Sequence, residues 1–299
     1  QDKLVWIPKE AAEVDHDYLL KLSQAASDLN LGKLAQQIAD RYTKTQATPQ
    51  NRGIASSVDS IGFDPLRSSE LNFTQAKALW ITQGPEAEIK IRELLSEVKD
   101  ESPFSYGKEI LLSVLDHRAG NLAQALSHGL RAQLLMPTGS QNIDDHLRLG
   151  FWIADLELRS GSFEMAYQMY REVEKLSDLN PKSGPEGLTA LFGVPPLSKR
   201  DAVITAQAEA LERMERWGEA AIAYNRAAEI ATSPNKANFG YARALLHTGE
   251  LKAKEKALVT LRKMSEKKDE DFWTKLAREA LAEEKTRETV LGDAKEGKR

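Results

Sequence analysis

The side chains that most often perform chemistry in proteins are cysteines, histidines and paired carboxylates, and this chain offers few useful arrangements of them. It has no cysteine, which excludes thiol nucleophiles, disulfides and thiolate metal sites. Its histidines are spaced so that no two lie on adjacent turns of one helix, as the ligands of a helical metal site do. We therefore expect no preformed metal site among them: His16, His117, His128, His146 and His247.

Three acidic runs could supply the paired carboxylates of acid–base catalysis: Asp144–Asp145, Asp269–Asp271 and Glu283–Glu284. Such a pair needs one carboxyl group held near an apolar wall. All three runs lie in polar sequence, and the first two are placed to complement a helix N-terminus. The chain also lacks a phosphate-binding glycine–lysine loop, a dinucleotide fingerprint and a His-Glu-x-x-His pair. We predict a non-enzymatic protein with no catalytic residue, no cofactor and no metal ligand.

The composition suits a thin array of helices better than one large globule. Of the 299 residues 29% are charged, and the mean hydropathy is -0.47, as expected when every helix keeps one face in water. The net charge of -4 argues against nucleic-acid binding, which requires a basic surface. No window approaches the run of about 20 apolar residues that a membrane span needs.

One stretch, residues 202–234, reads as a complete helix–turn–helix unit, and its pattern recurs elsewhere. The predicted turns of successive units are marked by one residue each: Gly84, Gly120, Gly161, Glu215 and Gly249. The last two markers are 34 residues apart, and the longer intervals require insertions in the connections. Prolines that stop the second helices follow at Pro103, Pro137, Pro181 and Pro234.

Residue size alternates in fixed register with these turns. Seven residues before the turn stand small side chains: Ser113, Ala154, Ala208 and Ala242. Two residues after it stand large apolar ones: Leu122, Phe163, Trp217 and Leu251. Further small or apolar residues follow five and twelve positions after the turn, among them Ala125, Ala166, Ala220, Ala132, Val173, Ala227 and Leu261. Two helices cross closely only where small side chains meet, and a bulky residue must fill the remaining groove.

On these residues the chain resembles the tetratricopeptide-repeat (TPR) family, whose period is 34 residues. The resemblance covers about residues 71–264 and implies an all-α, right-handed superhelix of antiparallel helix hairpins. Some positions depart from the family pattern. Glu215 replaces a turn glycine, Gly129 an aromatic residue, and Lys77 and Lys254 small residues.

The predicted organisation has four parts. Residues 1–45 form an N-terminal helical hairpin, read as a degenerate repeat, and residues 46–70 form a polar loop. Residues 71–265 form the repeat array, and residues 266–299 a capping helix, about 270–287, with a frayed tail. The capping helix is expected to turn Phe272, Trp273, Leu276 and Leu281 inward.

An insertion interrupts the array at residues 177–200 and carries apolar residues of its own, Leu188, Leu191, Phe192 and Val194. These either fold back on a neighbouring helix or form an exposed lip for a partner, and we favour the fold-back.

The array offers two kinds of aromatic and polar position. Trp217, Tyr224, Phe163 and Tyr170 fall at packing positions within a repeat and are predicted core residues. Other residues lie on first helices at offsets that line the concave face in TPR proteins. We predict that these bind a partner: Phe151, Asp155, Leu158, Thr205, Glu209, Glu212, Phe239, Arg243 and Leu246. The lysines and asparagines with which chaperone-binding TPR modules clamp a C-terminal carboxylate are missing.

The sequence thus favours a scaffold or adaptor that binds a peptide segment or a subunit in its concave face, in a bacterial envelope complex. The partner segment is expected to carry apolar anchors and positive charge. One alternative is a small-ligand-binding or enzymatic protein that uses the insertion as a lid, and a second is a self-assembling structural repeat protein, a homo-oligomer.

The chain begins at Gln1 rather than Met, which removal of an export signal would explain. We predict a periplasmic or otherwise exported location, with the cytoplasm as the alternative.

Overall fold

The computed structural model describes residues 65–136, 143–177, 187–194, 200–267 and 271–296, together with five single helical residues near the N-terminus: Ser23, Ala26, Lys33, Gln36 and Gln37. The rest of the predicted hairpin over residues 1–45 and most of the predicted loop over residues 46–70 lie outside this part. The contacts divide the chain into two compact units, residues 1–136 and 137–299. The domain boundaries drawn from the sequence stay predictions.

The first unit consists, where it is described, of helix hairpins. Helix α1 (Pro65–Gln83) is joined by a 3-10 turn to α2 (Glu88–Ser96), and α3 (Ser105–Arg118) pairs with α4 (Leu122–Leu135). Helix α1 begins at Pro65, so the last six residues of the predicted loop over residues 46–70 are helical, because Pro65 has the fixed φ that suits a first helical position. Ile91, Leu95 and Leu111 are fully buried between the helices.

The second unit continues the same architecture. It comprises α5 (Ile143–Ser160), α6 (Phe163–Ser177), the short α7 (Leu188–Leu191), α8 (Arg200–Arg213), α9 (Trp217–Ile230), α10 (Asn235–His247), α11 (Leu251–Ser265) and α12 (Phe272–Glu296). The pairs α5–α6, α8–α9 and α10–α11 form hairpins, and α6 packs on α8 as α9 packs on α10. No strand occurs in the described residues. The all-α TPR-like fold is therefore confirmed, while its right-handed sense stays a prediction.

The turn positions are those that the sequence predicts, because every marker residue has a positive φ. The glycines at 84, 120, 161 and 249 have φ of 59°, 81°, 92° and 75°. Glu215 has a φ of 59°, and no other described non-glycine residue has a positive φ. A side chain in this left-handed region costs roughly 1–2 kcal/mol, so the turn at Glu215, the fourth of the five, is strained whereas the glycine turns are relaxed.

The small residues before each turn are confirmed as contact points between helices, because Ser113, Ala154, Ala208 and Ala242 are completely buried. Tyr170 and Tyr224, each 1% exposed, are core residues as predicted. The large residues after the turns behave differently. Phe163 and Trp217 are only half-buried, and Leu251 is 82% exposed.

The difference between Trp217 and Leu251 follows from what covers them. The Trp217 indole stacks on His247 at the end of the next first helix, with ring centroids 4.2 Å apart. Helix α12, which follows Leu251, packs on α10 and α11 through residues such as Trp273 and Ala277 near its start. Leu251 belongs to none of these core contacts and remains exposed.

The insertion folds back on α5, as favoured, and is not an exposed lip in its described part. Phe192 and Val194 are buried. The Asp145 carboxylate accepts hydrogen bonds from the Thr189 hydroxyl and, at 3.3 Å, from the Thr189 backbone N–H. A side chain at Gly187 would place its Cβ 2.1 Å from Asp145 Oδ1, so only glycine permits this close approach.

Helix α12 covers the end of the array, as predicted for a capping helix. The Asp271 carboxylate accepts a hydrogen bond from the Thr274 backbone N–H at 2.8 Å and thereby caps the helix N-terminus. Trp273, Leu276 and Leu281 pack on the core of α10 and α11. Phe272 does not, since it is 63% exposed, and the helix runs to Glu296 instead of ending near residue 287.

Candidate binding groove

The predicted binding residues of the second unit stand ten, six and three positions before the turns, on α5, α8 and α10. Together they line three adjoining cavities, which we call the groove. The central cavity, about 740 Å³, contains Leu158, Glu209, Glu212, Phe239 and Arg243. The α5–α8 cavity, about 290 Å³, contains Phe151, Asp155, Thr205 and Glu209. The C-terminal cavity, about 490 Å³, contains Phe239, Arg243 and Leu246.

The structure thus brings every predicted binding residue to one groove, and their role in binding stays a prediction. The sequence reasoning missed Lys236, which lines two of the cavities. Lys236 stands thirteen positions before the Gly249 turn, where Ala202 stands before the Glu215 turn. The signal for it in the sequence is this repeated position, thirteen residues before the turn.

A charged network crosses the middle of the groove. The Arg243 guanidinium donates to Glu212 from Nε at 3.0 Å and from Nη2 at 2.5 Å. The Tyr224 hydroxyl donates to the same carboxylate at 2.8 Å, and Arg243 lies over the Phe239 ring at 5.7 Å. Burial raises the pKa of Tyr224, and the negative charges of Glu212 and Glu209 raise it further. The hydroxyl therefore stays protonated and keeps its hydrogen bond.

Two further ion pairs line the groove. Lys236 Nζ lies 2.6 Å from Glu209 Oε1 and joins α10 to α8, and Arg159 Nε lies 2.7 Å from Asp155 Oδ2 within α5. Charged side chains in this exposed range contribute little stability. Within each pair the two charges neutralise each other. The charge available to a partner is therefore that of the lining side chains that form no ion pair.

The uncompensated charge at the groove is mainly negative. Among the described residues, three acidic side chains that line it form no ion pair or hydrogen bond: Asp201, Glu215 and Glu283. Arg213 is the basic side chain that likewise lines the groove without an ion pair or hydrogen bond in this part of the chain. A partner segment with net positive charge would therefore match this surface.

The C-terminal cavity has its own ion-pair cluster at Glu284. Lys254 Nζ lies 3.0 Å and Arg287 Nη1 2.9 Å from this carboxylate. The hydrogen bond from Lys254 is the main cause that lowers the pKa of Glu284, and Arg287 adds to it. This cluster ties α12 to α11 beside Leu246.

The α5–α8 cavity differs from the central one in its tyrosine. Tyr170 and Tyr224 occupy equivalent positions, nine residues after their turns. Three residues before the turn, the hairpin of Tyr224 has Glu212, whereas the hairpin of Tyr170 has Leu158. As a result the Tyr170 hydroxyl forms no hydrogen bond within the described residues, although the residue is 1% exposed.

Among the described histidines and acidic runs considered in the sequence, His128 and Asp144 lie within ion-pair distance of neighbouring side chains. His128 Nδ1 lies 2.6 Å from the buried carboxylate of Glu109. Asp144 pairs with Arg148 in the first turn of α5 at 2.7 Å. No set of three potential ligands that could hold a metal ion occurs in the described part of the chain.

Among the helices that the structure describes, none combines the length and the apolar character needed to cross a bilayer.

No family model and no curated protein matches the chain. A solved structure described as "Functional Characterization of Pseudomonas Aeruginosa pilF" is similar over 89% of this chain and 97% of that chain, with 10% identity and a TM-score of 0.47. The assignment as a TPR-like all-α repeat protein accordingly rests on the hairpins and positive-φ turns described above.

Proposed function

We propose that this protein is a non-enzymatic scaffold that binds a segment of another protein in the groove of its second unit. The observation that carries the proposal is the separation of two sets of positions. Small residues seven before and five after the turn are buried between helices, whereas positions ten, six and three before it line the groove. Repeating such lining residues on successive first helices provides an extended binding surface.

The groove has the character of a protein-binding surface. Half-buried Phe151, Leu158 and Leu246 supply apolar contacts, and ion-paired side chains surround them. Apolar anchors within a polar rim are typical of protein interfaces. The surplus of unpaired acidic groups favours a partner segment that carries basic residues.

The alternative in which the insertion serves as a lid over a small-ligand pocket is less well supported. Its described part, residues 187–194, is fastened to α5 through Asp145, and none of these residues lines the groove. Self-association of the chain is tested separately by light scattering across a range of protein concentrations.

The test of the scaffold is affinity purification of partners with matched variants. Leu158→Ala with Leu246→Ala truncates half-buried groove leucines, while Ile222→Ala with Ile230→Ala truncates exposed apolar residues of α9 outside the groove. We expect the groove variant to lose the partners that the wild type retains and the α9 variant to keep them. Circular dichroism would confirm that both remain folded, and equal retention by both variants would refute the proposed groove.

A further inference from the structure

A tyrosine hydroxyl on the wall of the α5–α8 cavity lacks the hydrogen-bond partner that the equivalent tyrosine of the next hairpin has. The Tyr224 hydroxyl donates to Glu212 at 2.8 Å, whereas the equivalent Tyr170 hydroxyl faces the cavity with no hydrogen bond in the described residues. The Tyr170 oxygen is not among the fully enclosed polar atoms that lack a partner, so water or a polar group that enters the cavity can reach it and form a hydrogen bond. The cavity is therefore ready to accept a polar group from outside.

The charges around this cavity favour a cation. In the described part of the chain, the acidic residues that line it are Asp155, Asp201 and Glu209, and Lys236 is the basic one. Lys236 is engaged by Glu209 and Asp155 by Arg159, which leaves the Asp201 carboxylate unpaired within the described residues. A positive charge that enters the cavity would meet this carboxylate and the lone pairs of the Tyr170 oxygen.

The remaining walls suit an aliphatic stem. Phe151 and Tyr170 pack with ring centroids 5.3 Å apart, and Ala202, Ala206 and Ala237 complete an apolar lining. The volume of about 290 Å³ lies at the lower end of the range for ligand pockets. A cavity of this size accommodates one long side chain of a partner, with its methylene groups against the rings and its charged end beyond them.

We propose that the α5–α8 cavity binds a single lysine or arginine side chain of the partner segment, with Asp201 and the Tyr170 hydroxyl receiving its cationic end and Phe151 its stem. This inference rests on the proposed function of the groove and names the residue that the groove selects. Specificity arises because a neutral or acidic side chain would leave Asp201 unpaired or repelled.

The experiment selects peptides from a random displayed library on the wild-type protein and remeasures each selected peptide by fluorescence anisotropy. Groove-dependent peptides are those whose binding is lost with Leu158→Ala/Leu246→Ala. We expect them to share one lysine or arginine, and replacement of that residue by the neutral norleucine should weaken binding about ten-fold or more.

Variants of the protein place the effect at the cavity. Asp201→Asn should weaken the basic peptide about ten-fold and leave its norleucine form unchanged, whereas Asp201→Glu should retain binding. Glu255→Gln, which removes an exposed carboxylate of α11 that lines none of the three cavities, is the matched control and should leave the binding of both peptides unchanged.

The outcomes separate this inference from the function on which it rests. If no groove-dependent peptide is found, both fail. If such peptides bind but share no basic residue, or if Asp201→Asn affects the basic and norleucine peptides equally, the cavity assignment is overturned and the scaffold function stands.

Discussion

Two helical glycines of the second unit, Gly218 and Gly240, are expected to respond to alanine substitution in opposite directions. Gly218 lies at the start of α9, and a Cβ added there would meet nothing within 4 Å. Gly240 lies in α10, and its Cβ would be 2.5 Å from Tyr224 Cε1 and 2.6 Å from Cζ. Alanine gains roughly 0.5–1 kcal/mol over glycine in a helix from backbone entropy alone, so any difference between the two variants reports on packing.

At Gly240 the packing effect outweighs the helix propensity. Carbon atoms prefer separations of about 3.5–4.0 Å, so the Tyr224 ring would have to move by about 1 Å or more. The ring is 1% exposed and its hydroxyl is held by Glu212, which leaves it little freedom. Overpacking of this kind costs about 1–3 kcal/mol, and misplacing the hydroxyl adds about 1 kcal/mol.

We therefore expect Gly218→Ala to raise the free energy of unfolding by up to about 1 kcal/mol and Gly240→Ala to lower it by about 1–3 kcal/mol. Urea denaturation followed by circular dichroism measures both. Gly150→Ala provides an intermediate case, because its Cβ would lie 3.0 Å from the Val173 Cγ2 methyl. If Gly240→Ala is as stable as Gly218→Ala, the close approach of α10 to Tyr224 is incorrect.

Three further predictions concern single residues of the second unit. Glu215→Gly should raise stability by about 0.5–1 kcal/mol in thermal unfolding by relieving the left-handed backbone, whereas Gly161→Ala should lower it by a similar amount; equal effects would contradict the turn strain. Burial opposes ionisation of Glu174, but hydrogen bonds from Gln207 and Arg200 prevail and lower its pKa below 4.5, so Glu174→Gln should destabilise the protein at neutral pH. That deficit should shrink as the pH falls below about 4.5 in a series of denaturation curves, because the stabilisation from a lowered pKa is lost on protonation, and a pH-independent deficit would exclude this origin. Trp217→Ala should cost about 1–2 kcal/mol in urea denaturation, less than the 3–5 kcal/mol of a fully buried tryptophan, since the indole is only half-buried.

Much of the architecture followed from residue size in register with the turns. The turn at Glu215 could be placed without a glycine because its flanking small residues, Ala208 and Ala220, keep the spacing of the other hairpins. The groove residues could be predicted for the same reason, since first-helix offsets recur from one hairpin to the next.

The misplaced residues are those whose surroundings depend on the neighbouring element. Leu251 and Trp217 hold the same register position, yet Trp217 stacks on His247 whereas Leu251 is 82% exposed. Phe272 was expected on the inward face of α12, but it is 63% exposed. Asp271 caps the helix immediately before it, and the side chains that face the core begin at Trp273. Periodicity within one helix does not contain this information.

The sequence favoured a fold-back of the insertion, but it could not predict the contact that fastens the insertion to α5. Asp145 and Thr189 are 44 residues apart, and no local pattern connects them. The apolar residues Phe192 and Val194 favoured a fold-back, but the requirement for glycine at position 187 became visible only from its closeness to Asp145.

The separation of packing and lining positions allows the protein to diversify one without rebuilding the other. Ala154, Ala208 and Ala242 hold the hairpins together, and none of them lines the groove. Mutations at the lining positions ten, six and three residues before each turn could therefore change the partner while the stability of the protein is conserved. Phe239 is more constrained than the half-buried apolar lining residues, since it is 9% exposed and belongs with Trp273 to the core of the last hairpin. It should accordingly evolve more slowly than Phe151.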